Sequence, residues 1–560
     1  MSQIDFWLYP LLALSIVSLC MRLSLPIKWA WGFVLQAVPI IVLAVLGLFT
    51  EPKWIFALSG WALVLIFYLP PKLFYSAMQK NLTDLNAAEM RKISGQVGFF
   101  FWGMAGRFWS DMALAMASYI EQKGDEAENI LQNWIDCPDL PAQIRNLPAN
   151  YRKIGNSVMW RWQWIVDDYE GMAEEERGKL GSSVLLPTAR AYAELGRFEQ
   201  AADCIERAKL GETMVSMNFL ALSLLPFFAL TGSLKKVESL VQILIKCSGS
   251  FAESSKYYWL GRCYLARGEE DLCNKSFEKA AGLSTSPVFK KRLELLSSRL
   301  SKGIEPLDPK TVAVPVEKVW GVFKQVAYVQ EILSPQRNSI AVNSLVVLIV
   351  IAFLFTDLSI FDELNKLGIL KSGLIPIAPL NELIAYRLDL VRAFALTPTE
   401  MLHGEYYRLI TYLFLHKHAT HMIFNVIGLV WFGRIAENIF GTTRFVSIYL
   451  VGGVLSGIAH VLLSHLPAMG ASGAVMAVFG AVAVGIFRLK NKIPESIWRF
   501  KLSMLGGLAL FQIILDQIIP HVAVFAHLGG LLAGLAFGSL LSIRSPDTEN
   551  HEITGQYVSG

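Results

Sequence analysis

Apolar and polar positions divide the chain into blocks of different texture. Residues 1–71 hold three nearly unbroken apolar stretches, about 4–21, 29–49 and 54–69. Each approaches the ~20 residues a helix needs to cross a bilayer. Residues 72–300 follow with ordinary charge density and apolar positions at helical spacing. Pro306, Pro309 and Pro315 then mark a linker, 301–339. A second apolar block, 340–543, contains six stretches at about 340–355, 419–432, 445–466, 470–487, 503–519 and 524–543, and 544–560 form a polar tail. The pattern predicts an all-α polytopic membrane protein with nine spans and a helical domain between the third and fourth. The loop between the first two spans of the second block is too long for a simple turn.

Composition supports the same division. Hydrophobic residues make up 54% of the 560 and charged residues 17%, against about 25% charged in soluble domains, so a wholly soluble protein is excluded. A net charge of +4 without any run of five basic residues gives no reason to expect a nucleic-acid partner. Six cysteines form no CxxC pair, which points away from zinc knuckles and disulfide scaffolds; no metal or cofactor is expected. The first stretch is read as a retained span, since it carries Asp5 and no basic residue before Arg22. Threading nine spans with the N-terminus outside puts Lys72, Lys80, Arg434, Arg444, Arg488, Lys490, Lys492, Arg499, Lys501 and Arg544 on the cytoplasmic side. The 72–300 domain and the C-terminus are then cytoplasmic. A bacterial inner membrane is the expected setting.

Within 72–300, the run Ala189–Ala201 places Tyr192 in one helix, Leu195-Gly196 at a bend and Ala201 in a second helix. A similar run follows Trp259, with Gly268 at its bend. Aligned turn glycines at 124, 196, 232 and 268 step by 72, 36 and 36, a period of 36 with one degenerate unit skipped. This resembles tetratricopeptide repeats, with a usual period of 34. Stacked hairpins of that kind leave a groove suited to a cytoplasmic protein or peptide partner. Cys204 and Cys263 fall at small, buried repeat positions and are read as packing.

All nine histidines lie between 403 and 551, and ionisable groups within membrane spans are functional candidates. Gly470-Ala471-Ser472-Gly473 leaves a serine hydroxyl uncovered at the outer end of the fourth span of the second block. Ala526-His527 sits at the same depth in the sixth span. Small residues recur every fourth position after both: Gly473, Ala477, Ala481 and Gly485 on one helix, and Ala526, Gly530, Gly534 and Gly538 on the other. Such stripes mark close helix packing in lipid and predict a Ser472–His527 pair at hydrogen-bond distance, the histidine supplying the base that a serine nucleophile needs. His421 and Asn425, four apart, share a helix face and can present donors to a developing oxyanion, with the Ser472 N–H as a third. His460 and Asp516 are read as interhelical polar groups, a carboxylate near the outer end also being placed to bias a gate.

The set GxSG at Ser472, AHxxGxxxG at His527 and HxxxN at His421/Asn425, in this order across six spans, resembles the rhomboid family of intramembrane serine proteases. Tyr407-Arg408, His416 and Glu437 extend the likeness, which covers about 340–543. The resemblance implies a six-helix bundle that cleaves peptide bonds in or near substrates' transmembrane segments. It implies Ser472 as nucleophile and His527 as general base with no third acidic member, His421 and Asn425 as oxyanion donors, Arg408 fixing the long loop and Glu437 bracing the cytoplasmic side. Gly470, Gly473, Gly530 and Gly534 fall near this site. Met476 stands where the family commonly has an aromatic on the catalytic histidine. The alternatives are a catalytically weak or inactive rhomboid-like protein that binds membrane clients, a metal site on His416, His418 and His421, and a transporter. The three histidines cannot all face one way on a continuous helix, and a transporter would place polar groups at the bilayer midplane.

Overall fold

The computed structural model describes residues 11, 15 and 27–544, less 51, 69, 84, 102, 143, 213–214, 248–250, 301–305, 335–338, 357–376 and 519–522. The first expected apolar stretch apart from Leu11 and Ser15, the tail beyond Arg544, His521 and His551 lie outside the described residues. Among the described residues the structure is all-helical, with a single isolated antiparallel bridge and no strand. Two compact units form, one from 1–210 and 217–322, the other from 211–216 and 323–560.

The first unit begins with α1 (Ile27–Phe49), α2 (Lys53–Tyr68), α3 (Pro70–Thr83) and α4 (Ala87–Phe100). Helical hairpins follow: α5 (Met104–Ile120) with α6 (Gly124–Ile135), and α7 (Leu147–Val158) with α8 (Trp162–Glu170). After the short α9 (Glu174–Gly178) come α10 (Ser182–Glu194) with α11 (Phe198–Arg207), α12 (Met217–Leu230) with α13 (Leu234–Cys247), and α14 (Glu253–Arg267) with α15 (Glu270–Leu283). Every hairpin turns through one residue of positive φ: Gln122, Trp160, Gly196, Gly232 and Gly268. The expected turn glycines at 196, 232 and 268 are in place. Gly124 is not a turn residue; it opens α6, where a Cβ would press on the Met159 side chain at 3.1 Å. The first turn is Gln122 and the skipped unit turns at Trp160, both side chains accepting the ~1–2 kcal/mol strain of a left-handed backbone. The true turn spacings are therefore 38, 36, 36 and 36.

Burial on one face of each helix holds the hairpins together, with Phe108, Tyr119, Phe228 and Phe277 fully enclosed. The Arg262 guanidinium joins α14 to α10 by donating to Glu194 at 2.7 Å, both side chains being buried. Burial pushes the Cys263 and Cys273 thiols up to about 12, consistent with packing. The unit continues with α16 (Pro287–Leu300).

Residues 301–339 were expected to be a linker, but they carry the 25-residue helix α17 (Pro309–Leu333). Pro309 occupies the first helical position, where its missing N–H is harmless. Pro315 is tolerated because Val312, Val316, Val319, Phe323, Val326 and Ala327 are buried along one face, and packing outweighs the lost hydrogen bond.

The second unit contains α18 (Ile340–Thr356), α19 (Ile377–Phe394), α20 (Pro398–Leu402) and α21 (Arg408–Thr411), so the described part of the long loop is itself helical. Then follow α22 (Ala419–Phe440), α23 (Thr442–Leu463), α24 (Ser472–Arg488), α25 (Glu495–Ile518) and α26 (Val524–Leu540). Among the described residues, three helices are long and apolar enough to cross a membrane by length and composition: α22, α23 and α25 through Gln517. The apolar helices α18, α24 and α26 are shorter. The second expected stretch stopped at 432, whereas α22 passes through a π-helical turn at Leu429–Gly433 and ends at Phe440. Charges at Arg434 and Glu437 hid this continuation from an apolar-run criterion.

Helix α24 is enclosed along most of its length and meets α26 backbone to backbone. A Cβ on Gly530 would land on the Gly473 carbonyl, one on Gly534 on the Ala477 carbonyl, and one on Gly538 would lie 2.9 Å from the Ala481 carbonyl oxygen. The two small-residue stripes thus interlock. Gly485 departs from the pattern and faces Ile439 and Phe440 of α22 instead.

Candidate active site

Ser472 is the first residue of α24, delivered by a loop pinned at two places. Leu396 and Ala468 exchange backbone hydrogen bonds of 3.0 and 2.8 Å, and the Gly470 N–H donates to the Tyr412 carbonyl at 2.9 Å. Gly470 has φ +130, and a Cβ there would come within 2.7 Å of His421 Cε1 and 2.9 Å of its Nε2. Only glycine satisfies both demands.

His527 lies in the first turn of α26, where the interlocked stripes bring it opposite Ser472. Its Nε2 is 2.8 Å from Ser472 Oγ. On the far side of the ring, Nδ1 is 2.8 Å from Asp516 Oδ2 on α25. The resemblance led to an expectation of a pair with no acidic third member; the geometry is a line of three, and Asp516 is bonded to the histidine rather than left as an unassigned interhelical group. Gln512, one turn earlier on α25, donates to Asp516 Oδ1 at 2.8 Å. With the proton on Nδ1 the ring donates to the Asp516 carboxylate and leaves Nε2 to accept from the Ser472 hydroxyl.

His421 and Asn425 lie on one face of α22 and both stand against Gly470, two residues before Ser472. The Asn425 amide donates to the His421 carbonyl at 3.1 Å. Opening a helix, Ser472 has a backbone N–H without an intrahelical acceptor. His416 takes the N–H before it: Ala471 donates to His416 Nε2 at 3.4 Å, while Nδ1 lies 3.2 Å from the Phe414 carbonyl. Both ring nitrogens of His416 are therefore engaged with backbone, and its ring sits 5.1 Å from that of His421. Fully buried Ser456 of α23, unremarked in the sequence, donates to the Ala526 carbonyl beside His527 at 2.7 Å. A Cβ on Gly473 would strike that hydroxyl.

The remaining candidates are peripheral. Arg408 is buried and donates to the carbonyls of Arg392 and Ala395 at 2.6 and 2.7 Å, tying the end of α19 to the segment that pins the serine loop. Glu405 supports the same guanidinium at 2.6 Å. Glu437 accepts from Ser339 and, at 2.7 Å, from Thr442. Met476 is half-buried one turn below Ser472. His460 Nε2 lies 2.8 Å from the carbonyl of Leu466, in the loop after its own helix rather than on a neighbouring helix. Chemically, the centre offers a hydroxyl with a base in line and several donors converging near it.

Comparison with known proteins finds likeness over the same part of the chain. A family model described as the rhomboid domain matches residues 403–544. "Rhomboid protease GluP" of Bacillus subtilis (strain 168) is 30% identical over 145 residues, 25% of this chain and 27% of that protein. "Putative rhomboid protease YdcA" of the same organism is 31% identical over 140 residues, 25% of this chain and 68% of that protein. "RHOMBOID-like protein 6, mitochondrial" of Arabidopsis thaliana is 36% identical over 141 residues, 25% of this chain and 44% of that protein. The chain spans well under two thirds of the first and third of these relatives.

Proposed function

Because the chain belongs to the rhomboid family, we propose that it is an intramembrane serine endopeptidase acting on peptide bonds in or near the transmembrane segments of other membrane proteins. The observation that carries this reading is the 2.8 Å approach of Ser472 Oγ to His527 Nε2 at the adjoining ends of two packed apolar helices. Ser472 Oγ attacks the scissile carbonyl while its proton passes to His527 Nε2. The negative charge on the carbonyl oxygen is met by the Ser472 N–H with His421 and Asn425. The imidazolium then gives its proton to the departing amine as the C–N bond breaks. Water, deprotonated by the same nitrogen, attacks the acyl carbonyl, and the proton returns from Nε2 to Ser472 Oγ as the acyl–oxygen bond breaks. No metal or cofactor enters these steps. A substrate helix has to unwind locally, because an intact helix engages its carbonyls in hydrogen bonds.

In this reading all six apolar helices of the second unit cross the bilayer, together with three N-terminal ones. The 17-residue α18, α24 and α26 reach about 25 Å at 1.5 Å per residue, short of a ~30 Å core and accommodated by local thinning. The N-terminus faces outward, and the hairpin unit and C-terminus face the cytoplasm of a bacterial inner membrane. The hairpins act as tetratricopeptide-like repeats that recruit a cytoplasmic partner or a substrate's cytoplasmic tail. Deleting 100–300 should then impair cleavage of natural clients more than that of a bare model substrate; equal effects on both would refute recruitment. The activity itself is tested in liposomes with a single-pass substrate. Cutting lost in both Ser472→Ala and His527→Ala supports the mechanism, and cutting that survives Ser472→Ala overturns it. Folded protein that cuts none of several substrates would favour client binding without proteolysis.

A further inference from the structure

We propose that Asp516 is a positioning residue for His527, making the centre a serine–histidine–aspartate line instead of the two-member arrangement that the family resemblance implies. This rests on the reading of Ser472 and His527 as nucleophile and base. The imidazole is held from opposite sides by two 2.8 Å contacts, to Ser472 Oγ and to Asp516 Oδ2. The side chains of His527 and Asp516 are only 9% and 4% exposed, so water does not compete for the bond between them.

Two features separate this from incidental helix packing. First, among the described residues no lysine or arginine lies within ion-pair distance of Asp516; its ion-pair partner is His527, and Gln512 occupies the other oxygen. A buried carboxylate without a cation is expensive to keep. The cation that relieves it is the imidazolium formed when Ser472 surrenders its proton, so the attraction is strongest as the reaction proceeds. Second, α25 is the least embedded of the three long apolar helices: 11% of its apolar stretch is buried, against 44% and 39% for α22 and α23. A buried aspartate at its outer end is not explained by the helix's own packing. Among the described residues no aromatic ring stacks on His527, and the two hydrogen bonds engage both of its ring nitrogens.

The consequences for each step are definite. Asp516 keeps the proton on Nδ1 and thereby leaves the Nε2 lone pair for Ser472. It takes no proton itself; the proton from Oγ stays on Nε2 until the leaving amine accepts it. Asparagine at 516 can donate to Nδ1, which favours the tautomer with the proton on Nε2 and removes the base.

The test uses the full chain in liposomes with a single-pass model substrate, comparing wild type, Ser472→Ala, His527→Ala, Asp516→Asn and Asp516→Glu. Loss of a correctly poised base predicts a fall in kcat of about 10²- to 10⁴-fold for Asp516→Asn, with KM within about twofold and the unfolding temperature unchanged. Asp516→Glu keeps the carboxylate and should recover part of the rate. In parallel, histidine labelled with nitrogen-15 reports the His527 tautomer in the Ser472→Ala background, with a protonated Nδ1 expected and its signal shifted by Asp516→Asn. Wild-type kcat in Asp516→Asn overturns the inference, as does a loss confined to KM or accompanied by a lower unfolding temperature without a tautomer change. Should that variant fail to fold, an unprotonated Nδ1 in the Ser472→Ala protein overturns it. Cleavage persisting in Ser472→Ala would sink the protease reading itself, a result separable from failure of Asp516 alone.

Discussion

Replacing Gly534 by alanine places one methyl group between α24 and α26 and should disturb chemistry two turns away. The added Cβ would overlap the Ala477 carbonyl oxygen and lie 2.7 Å from its carbon and 2.8 Å from Cα, where ordinary contact begins at 3.4 Å. All three obstacles are backbone atoms, so no side chain can swing aside. Meeting the carbon contact alone requires about 0.7 Å of separation (3.4 less 2.7) in a packing that has no slack. Carried in full up the helix pair, that movement would take the 2.8 Å Ser472–His527 contact beyond general-base reach, ~2.6–3.2 Å. Overpacking of this kind costs about 1–3 kcal/mol of stability, and misplacement approaching 1 Å can lower the rate by up to about 100-fold. Gly507→Ala supplies the control, because a Cβ there meets nothing within 4 Å. The assay pairs tryptophan-monitored thermal unfolding in detergent with cleavage of a model substrate in liposomes. Gly534→Ala behaving like Gly507→Ala in both would refute the claim that backbone contact between these helices sets the site.

Other consequences are open to test. His421→Ala and Asn425→Ala should each lower kcat by about 10²- to 10³-fold, the loss of one oxyanion donor being worth about 2.7–4 kcal/mol; steady-state cleavage with KM held in view checks this, and an unchanged kcat in both would remove them from the mechanism. In the hairpin unit, hydrogen bonds from Arg91 and Lys123 hold the Glu121 carboxyl down at about 2. A depressed folded value means the contribution is complete above the unfolded carboxyl range, ~4.3, and is lost as pH falls from there through about 2. Glu121→Gln should therefore lower the unfolding temperature at neutral pH, where the contribution is complete, and converge on wild type as pH falls through that window, flattening the acid side of the profile; the effect will be modest because the bridge is partly exposed.

What the sequence revealed and what it hid follow from how each feature is encoded. Ser472 and His527 were legible because two glycine–alanine stripes with a four-residue period force their helices together, a local pattern with a three-dimensional meaning. The turns at Gly196, Gly232 and Gly268 were legible for a similar reason, since positive φ selects glycine. Gln122 and Trp160 adopt that backbone without glycine, which is why glycine spacing misplaces the first hairpin turn. Asp516 has no partner legible in the sequence: it is eleven residues from His527 on another helix, with no spacing that joins them. The signal available was a carboxylate in an apolar helix with Gln512 four residues before it, a polar pair that lipid-facing packing does not require. The helix α17 was missed because three prolines outweighed a buried face that only tertiary contacts make valuable.

The account stands most directly on the nucleophilicity of one hydroxyl. Full-length protein in liposomes can be treated with a fluorophosphonate, which forms a covalent bond with an activated serine and releases fluoride, and the adduct located by peptide mass mapping. The arrangement of Ser472 against His527 predicts a single modified residue, Ser472, with labelling abolished by Ser472→Ala and reduced to background by His527→Ala. Labelling at another serine, or undiminished labelling of Ser472 in the His527→Ala protein, would contradict it.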